Sequence, residues 1–346
     1  MIKKTSLLLL LAILLFNCSE NKTLDELLIT LETDKIAMGT VSVYKSGNEI
    51  YNKSFGLKNI ETKEKANEKT RYWIGSITKT YTATVILQLV DEAKIRLNTT
   101  LDTYFPNIPN AKKITISHLL QHRSGLFNIT NNPDFEVWIA EPRSRDQMLA
   151  RIKQYDPQFQ PGEKASYSNT NFIILSYIAE DIEGVTFKQI LNNRIFKPLQ
   201  LKRTSFADTL NLANNEAMDY FPENGEWSPI VYQTNLTGTM GAGGIISTAK
   251  EVNIFYQSLF SGELISEASL KAMTTEKDEL GLGIGISKYK GFRTYGHDGS
   301  IDGFRSIVVY NPEEKLSIAL TFNCSKVAMT SNLKRVFDAY NVTFND

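Results

Sequence analysis

Two stretches of the chain alternate apolar and polar residues around a turn, and each predicts a β-hairpin. One is MGTVSVYKSGNEIYNKSFG, residues 38–56, turning at Ser46-Gly47-Asn48; the other is DGFRSIVVYNPEEKLSIALTFN, residues 302–323, turning at Asn311-Pro312. GLGIGIS adds a strand over 282–287. The middle of the chain has a different period. SHLLQH, SRDQMLARIKQY, NFIILSYIAEDIEG and TFKQILNNRIF carry apolar residues three and four apart, as helices do, and loops such as FPNIPN and DPQFQPGEK separate them. LDELLITLET and SNLKRVFDAY predict flanking helices near the two ends. The expected fold is therefore α+β: an antiparallel sheet assembled from both chain ends and flanked by helices, with a mainly helical region inserted. The sheet-bearing part spans about 23–80 and 235–346, the insertion about 81–234.

Composition removes some function classes. The 346 residues include 38 basic and 38 acidic side chains, a balance that gives nucleic acid or an anionic membrane surface no purchase. Residues 1–22 stand apart: Lys3 and Lys4 precede an apolar run too short to span a bilayer, the layout of an export signal. Leu15-Phe16-Asn17-Cys18 resembles a bacterial lipobox, with Asn17 where a small residue is usual. That implies lipidation of Cys18 and a periplasmic or cell-envelope location, with membrane contact only through the lipid. Cys324 is then the sole remaining thiol; set in the alternating SIALTFNCS, it reads as a small buried strand residue.

The stretch IGSITKT poses the chemical question. Ser76 and Lys79 stand three apart where a long apolar run begins, and an unpaired ammonium against a core costs several kcal/mol. On a helix the two side chains share a face, so the amine can reach the hydroxyl. A serine in the first turn also has a free N–H and a favourable dipole for developing negative charge. The spacing by itself says little, since Ser-x-x-Lys recurs at Ser19/Lys22, Ser42/Lys45, Ser247/Lys250, Ser287/Lys290 and Ser331/Lys334. Only the pair at 76 and 79 opens a long helical run.

It also has companions. Tyr167-Ser168-Asn169 is the sole Tyr-x-Asn, placed after Pro161-Gly162 and before a helix. A phenol can relay a proton, and an amide can hold both an amine and a substrate carbonyl. His297-Asp298-Gly299-Ser300 closes FRTYGHDGS; there a glycine lets substrate lie close against a strand, and the Ser300 N–H can join that of Ser76 in an oxyanion hole.

These motifs, in this order, resemble the class C β-lactamases and the related D-alanyl-D-alanine peptidases and esterases, the penicillin-recognising serine hydrolases. HLLQHRSGL, PGEKASYSNTNFIILSYIAEDIEG and GAGGIISTAKEV extend the likeness over roughly residues 25–340. The resemblance implies a β-lactamase/transpeptidase-like fold with no cofactor or metal. It also implies Ser76 as nucleophile, Lys79 and Tyr167 as the proton-handling pair, Asn169 as their orienter, and Ser76, Gly299 and Ser300 around the oxyanion. To serve as base, Lys79 or Tyr167 must drop from about 10 to about 7, on the order of 4 kcal/mol. His297 stands where β-lactamases of this class usually carry lysine, and the family's peptidases and esterases use histidine. The expected substrate is thus a D-amino-acid peptide or an ester, peptidoglycan fragments included, taken by a monomer; a class C-type β-lactamase or an idle peptidoglycan-binding or β-lactam-binding relative is the alternative.

Other features read as structural. His118 and His122 have zinc-like spacing, but Leu119 stands where the glutamate of that motif would be and no third ligand follows. GLGIG is too short for a dinucleotide fingerprint, and Gly-x-Ser-x-Gly is absent from the sequence. Trp73, Tyr81 and Trp138 are expected to pack; Arg293 and Arg305 flank the third motif, where binding a substrate carboxylate is the alternative to the surface salt bridges expected of each.

Overall fold

The two terminal hairpins lie side by side in one sheet. In the computed structural model, which describes residues 22–230 and 233–344, its strands are β1 (Ala37–Lys45), β2 (Asn48–Phe55), β3 (Gly285–Tyr289), β4 (Phe292–Ile301), β5 (Phe304–Asn311) and β6 (Leu316–Ser325). Their order is β3-β4-β5-β6-β1-β2, every pair antiparallel. The chain ends meet where β1 pairs with β6, Val41 opposite Leu320 and Val43 opposite Ile318. The expected export signal, up to residue 21, and Cys18 lie outside the described residues.

Both faces of the sheet are covered, so its central strands are buried on both sides rather than half-polar. On one face pack α1 (Leu24–Thr33) and the C-terminal helix Met329–Phe344, through Leu27, Leu31, Val336 and Phe337 against Val41, Ile307 and Leu320. Thr23 starts α1 with a capping box to Glu26. On the other face lies the helix Ala249–Phe260, whose Asn253 amide donates to the Ser42 carbonyl at 2.9 Å. Cys324 is buried in β6 as expected.

Beyond that layer the chain is mainly helical, centred on α2 (Thr78–Asp91) and α3 (Asn169–Glu183). Every residue of α2 from Thr78 to Leu87 is buried, so this stretch of the helix has no wet face. Its threonine hydroxyls are hydrogen-bonded: Thr80 and Thr82 donate to the Gly283 and Gly241 carbonyls at 2.9 and 2.7 Å, and the Thr78 hydroxyl accepts from the Ile245 N–H at 3.2 Å. The strand expected over 282–287 begins only at Gly285. Residues 281–284 instead lie against helices, Gly283 N–H donating to the Leu120 carbonyl at 2.9 Å. A three-strand patch of Tyr72–Trp73, Ile245–Ser247 and Ser205–Phe206 ties the approach to Ser76 to the glycine-rich segment 241–244.

Candidate active site

Ser76 sits in a single 3₁₀ turn, Gly75–Ile77, that runs directly into α2. Residues three apart eclipse in such a turn, which brings the Lys79 side chain onto Ser76. Gly75 makes the sharp entry at φ +49°, and a Cβ there would come within 3.0 Å of the Ser300 amide nitrogen. The serine turn and the end of β4 are therefore in direct contact.

Lys79 is fully buried, and its Nζ meets three oxygens: Ser76 Oγ at 2.9 Å, Asn169 Oδ1 at 2.7 Å and the Ala242 carbonyl at 2.8 Å. Burial pushes its ammonium well below the usual lysine range, although the Asp298 carboxylate pulls the other way. Tyr167 donates its hydroxyl to Ser76 Oγ at 2.8 Å. The residue is 43% exposed, but protein atoms crowd the hydroxyl; that desolvation raises the phenol, against the Ser76 hydrogen bond. Ser76, Lys79, Tyr167 and Asn169 thus come together around one hydroxyl.

Asn169 is the first residue of α3 and is held at both ends. Its N–H donates to Asn128 Oδ1 and its amide to Thr130 Oγ, each at 3.0 Å. Ser168 N–H donates to His122 Nδ1 at 3.0 Å, which gives that histidine a structural place beside the site. His118 accepts from the Thr115 N–H, closing a helix cap. Sequence reading missed Asn128, Thr130 and the Ala242 carbonyl, because each acts through a contact more than 35 residues away that no local spacing signals.

Gly299 packs closely on the protein. A Cβ on it would meet the Ile74 carbonyl at 2.1 Å and Ser306 Oγ at 2.4 Å, so the approach to the serine turn lies directly against this glycine. Ser300 does line the cleft beside Ser76. β4 pairs with β3 only as far as Gly296, which leaves residues 297–301 paired to β5 alone. His297 borders a second space of about 150 Å³ with His122, Tyr167 and Asp298, its ring 6.3 Å from that of Tyr167. Its Nδ1–H donates to the Asp298 carbonyl at 2.6 Å, and burial, then the charge of Lys79, lowers it to about 4. It is neutral at neutral pH. Of the remaining expectations, Trp73 and Tyr81 are buried in the core, Trp138 packs under two arginines, and Arg293 pairs with Glu276. Arg305 instead donates to the Asp302 and Phe304 carbonyls, both at 2.7 Å, because its half-buried guanidinium sits against that turn.

A sequence profile described as Beta-lactamase matches residues 25–341. The chain belongs to the Beta-lactamase family. It is a serine hydrolase of the β-lactamase/transpeptidase fold. Among its relatives, PbpX of Bacillus subtilis (strain 168), which carries the name of a penicillin-binding protein, is 28% identical over 286 residues, 82% of this chain and 70% of that protein. Protein flp of Staphylococcus aureus (strain N315) is 26% identical over 85% of this chain and 61% of its own length. A D-stereospecific amidohydrolase from Streptomyces sp. superposes with a TM-score of 0.76 at 26% identity, covering 92% of this chain and 97% of that one. The family's fold is thus present over nearly all of the described residues.

Proposed function

We propose that this serine hydrolase transfers the acyl group of a D-amino-acid amide, peptide or ester to Ser76 and then to water, with Lys79 as the base. The observation that carries the reading is the set of three oxygens around the buried Lys79 amine. As an ammonium it would donate to all three. As a neutral amine it keeps two N–H groups for Asn169 Oδ1 and the Ala242 carbonyl and turns its lone pair to the Ser76 hydroxyl. Burial favours that neutral form, whereas Tyr167 is raised and retains its proton.

The steps follow. Lys79 takes the Ser76 proton as Oγ bonds to the carbonyl carbon, and the N–H groups of Ser76 and Ser300 receive the oxyanion. Collapse breaks the bond to the leaving nitrogen or oxygen, which takes the Tyr167 proton; the proton on Lys79 replaces it. Water then repeats the sequence in reverse and frees Ser76. Neutral His297 offers no fixed cation to a β-lactam carboxylate, which favours amides and esters over penicillins and cephalosporins. Similarity to a D-stereospecific amidohydrolase supports the same ranking. Action at the cell envelope, with a Cys18 lipid anchor, is part of the proposal and rests on the sequence of residues 1–22.

The test is a fluorophosphonate label followed by a substrate panel. Labelling of Ser76, its loss in Ser76→Ala, and D-amide or ester turnover above that of nitrocefin are expected. Nitrocefin as the fastest substrate would overturn the ranking, and a protein that accepts no acyl group would overturn the mechanism.

A further inference from the structure

The cleft beside Ser76 has a volume of about 250 Å³, and the charged side chains on its wall are Glu136 and Asp302, with neither lysine nor arginine among the lining residues. The two carboxylates are differently placed. Asp302 is committed, accepting the Thr234 N–H at 2.8 Å and the Thr234 hydroxyl at 2.7 Å. Glu136 is exposed and makes no hydrogen bond or ion pair with any described residue.

The short helix Phe135–Ile139 that carries Glu136 is held firmly. Asp134, just before it, pairs with Arg151, and the guanidiniums of Arg143 and Arg151 lie 4.5 and 4.3 Å from the Trp138 ring. Phe135, Ile139 and Ile173 give the same cleft an apolar wall. A substrate group seated there meets a side-chain pocket and, at its edge, one unpaired negative charge.

Around Tyr167 and His297 the second space offers a leaving group apolar residues, glycines, His122 and the Asp298 carboxylate, again without lysine or arginine. The wall chemistry therefore matches a substrate with a positive charge on the acyl side.

We propose that Glu136 determines specificity by binding the free α-ammonium of the acyl group, so that the enzyme takes unblocked aminoacyl amides and esters. The assignment rests on the reading of Ser76 as the acyl acceptor. It follows from an unpaired carboxylate on a braced helix facing the same cleft as the nucleophile, with Asp302, whose charge is felt by Glu136, on the same wall. A charge-assisted hydrogen bond of this kind changes affinity by roughly ten- to a hundredfold.

The experiment compares kcat/KM for D-alanine p-nitroanilide and its N-acetyl derivative in the wild type, Glu136→Gln and Glu136→Asp. The wild type is expected to prefer the free amine at least tenfold. Glu136→Gln should reduce that ratio about tenfold through KM, and Glu136→Asp should keep part of it; a general packing defect would lower both substrates together. A wild-type preference for the acetylated substrate, or a ratio unchanged in Glu136→Gln, overturns the assignment. Turnover of neither anilide while fluorophosphonate still labels Ser76 overturns it too and leaves the hydrolase reading standing; absence of the label removes that reading itself.

Discussion

His122 lies face to face with Tyr167, ring centroids 4.3 Å apart and planes inclined by 30°, while its Nδ1 accepts the Ser168 N–H. A residue at φ +55° thus fixes both the plane of the phenol and the turn that carries it. His122→Ala should lower kcat about tenfold with little change in KM and reduce stability by about 2 kcal/mol, from the lost stack and the orphaned N–H. His122→Asn, which tolerates positive φ and can accept the same hydrogen bond, should recover most of the stability but not the stack. Ester kinetics and thermal melts on the two variants separate these contributions.

Four groups in and beside the site have shifts of known sign. Lys79 is depressed and, as the proposed base, would work unprotonated, so the rate of Ser76 labelling by fluorophosphonate should rise with pH through a value well under that of ordinary lysine. Tyr167 is raised, so loss of its proton should impose no decline at the ordinary tyrosine value. A single rise near pH 10.4, the usual lysine value, would remove Lys79 as base. Stability in acid follows the histidines. With His297 lowered to about 4 and His122 also depressed, the unfolded chain gains protons that the folded one refuses, so the histidine contribution should be fully present above pH 6.5 and be lost as pH drops from there toward 4. Depressed Lys79 acts in the same sense at higher pH, its contribution becoming complete only above the ordinary lysine value. Denaturant melts at several pH values read this directly.

Gly299 holds β4 against the serine turn. In Gly299→Ala the new methyl would overlap the Ile74 carbonyl at 2.1 Å, and backbone must move to admit it. A shift of about 1 Å in a reacting group lowers rate roughly a hundredfold, and overpacking costs about 1–3 kcal/mol. Both losses are expected, in kcat and in melting temperature.

That glycine also marks what the sequence could carry. Both hairpins, the helical middle and the Ser76, Lys79 and Tyr167-Asn169 motifs were legible because period and spacing are local properties. Of the other Ser-x-x-Lys copies, Ser42/Lys45 falls on β1, where residues three apart face opposite sides of the sheet. Lys250 pairs with Glu49 and Lys290 with Asp338, away from any hydroxyl chemistry. The three-strand patch was not legible, since strands of two or three residues have no period. The dependence of Asn169 on Thr130, or of Lys79 on the Ala242 carbonyl, exists only after distant segments pack.

On the proposed reading, neutral His297 disfavours a substrate carboxylate. His297→Lys places a permanent cation beside Tyr167 at the 150 Å³ space, and the second-order rate of acylation by a fluorescent penicillin should rise about tenfold, the scale of one added charge-assisted hydrogen bond. An unchanged rate would mean that a penicillin carboxylate does not reach position 297.

Asn169 tests the neutrality of Lys79 most directly. Its Oδ1 is 2.7 Å from Nζ as a neutral acceptor; in Asn169→Asp the same position carries a negative charge, which favours the ammonium and raises the lysine by about one to three pH units. The lone pair that faces Ser76 then becomes available only at higher pH. The variant should label slowly with fluorophosphonate at pH 7 and recover in part as pH is raised, its profile displaced to the alkaline side of the wild type. The lost donor to Thr130 affects stability and the absolute rate, but does not displace the profile. A profile that keeps its position while its height falls would show that the proton of Ser76 goes elsewhere than to Lys79.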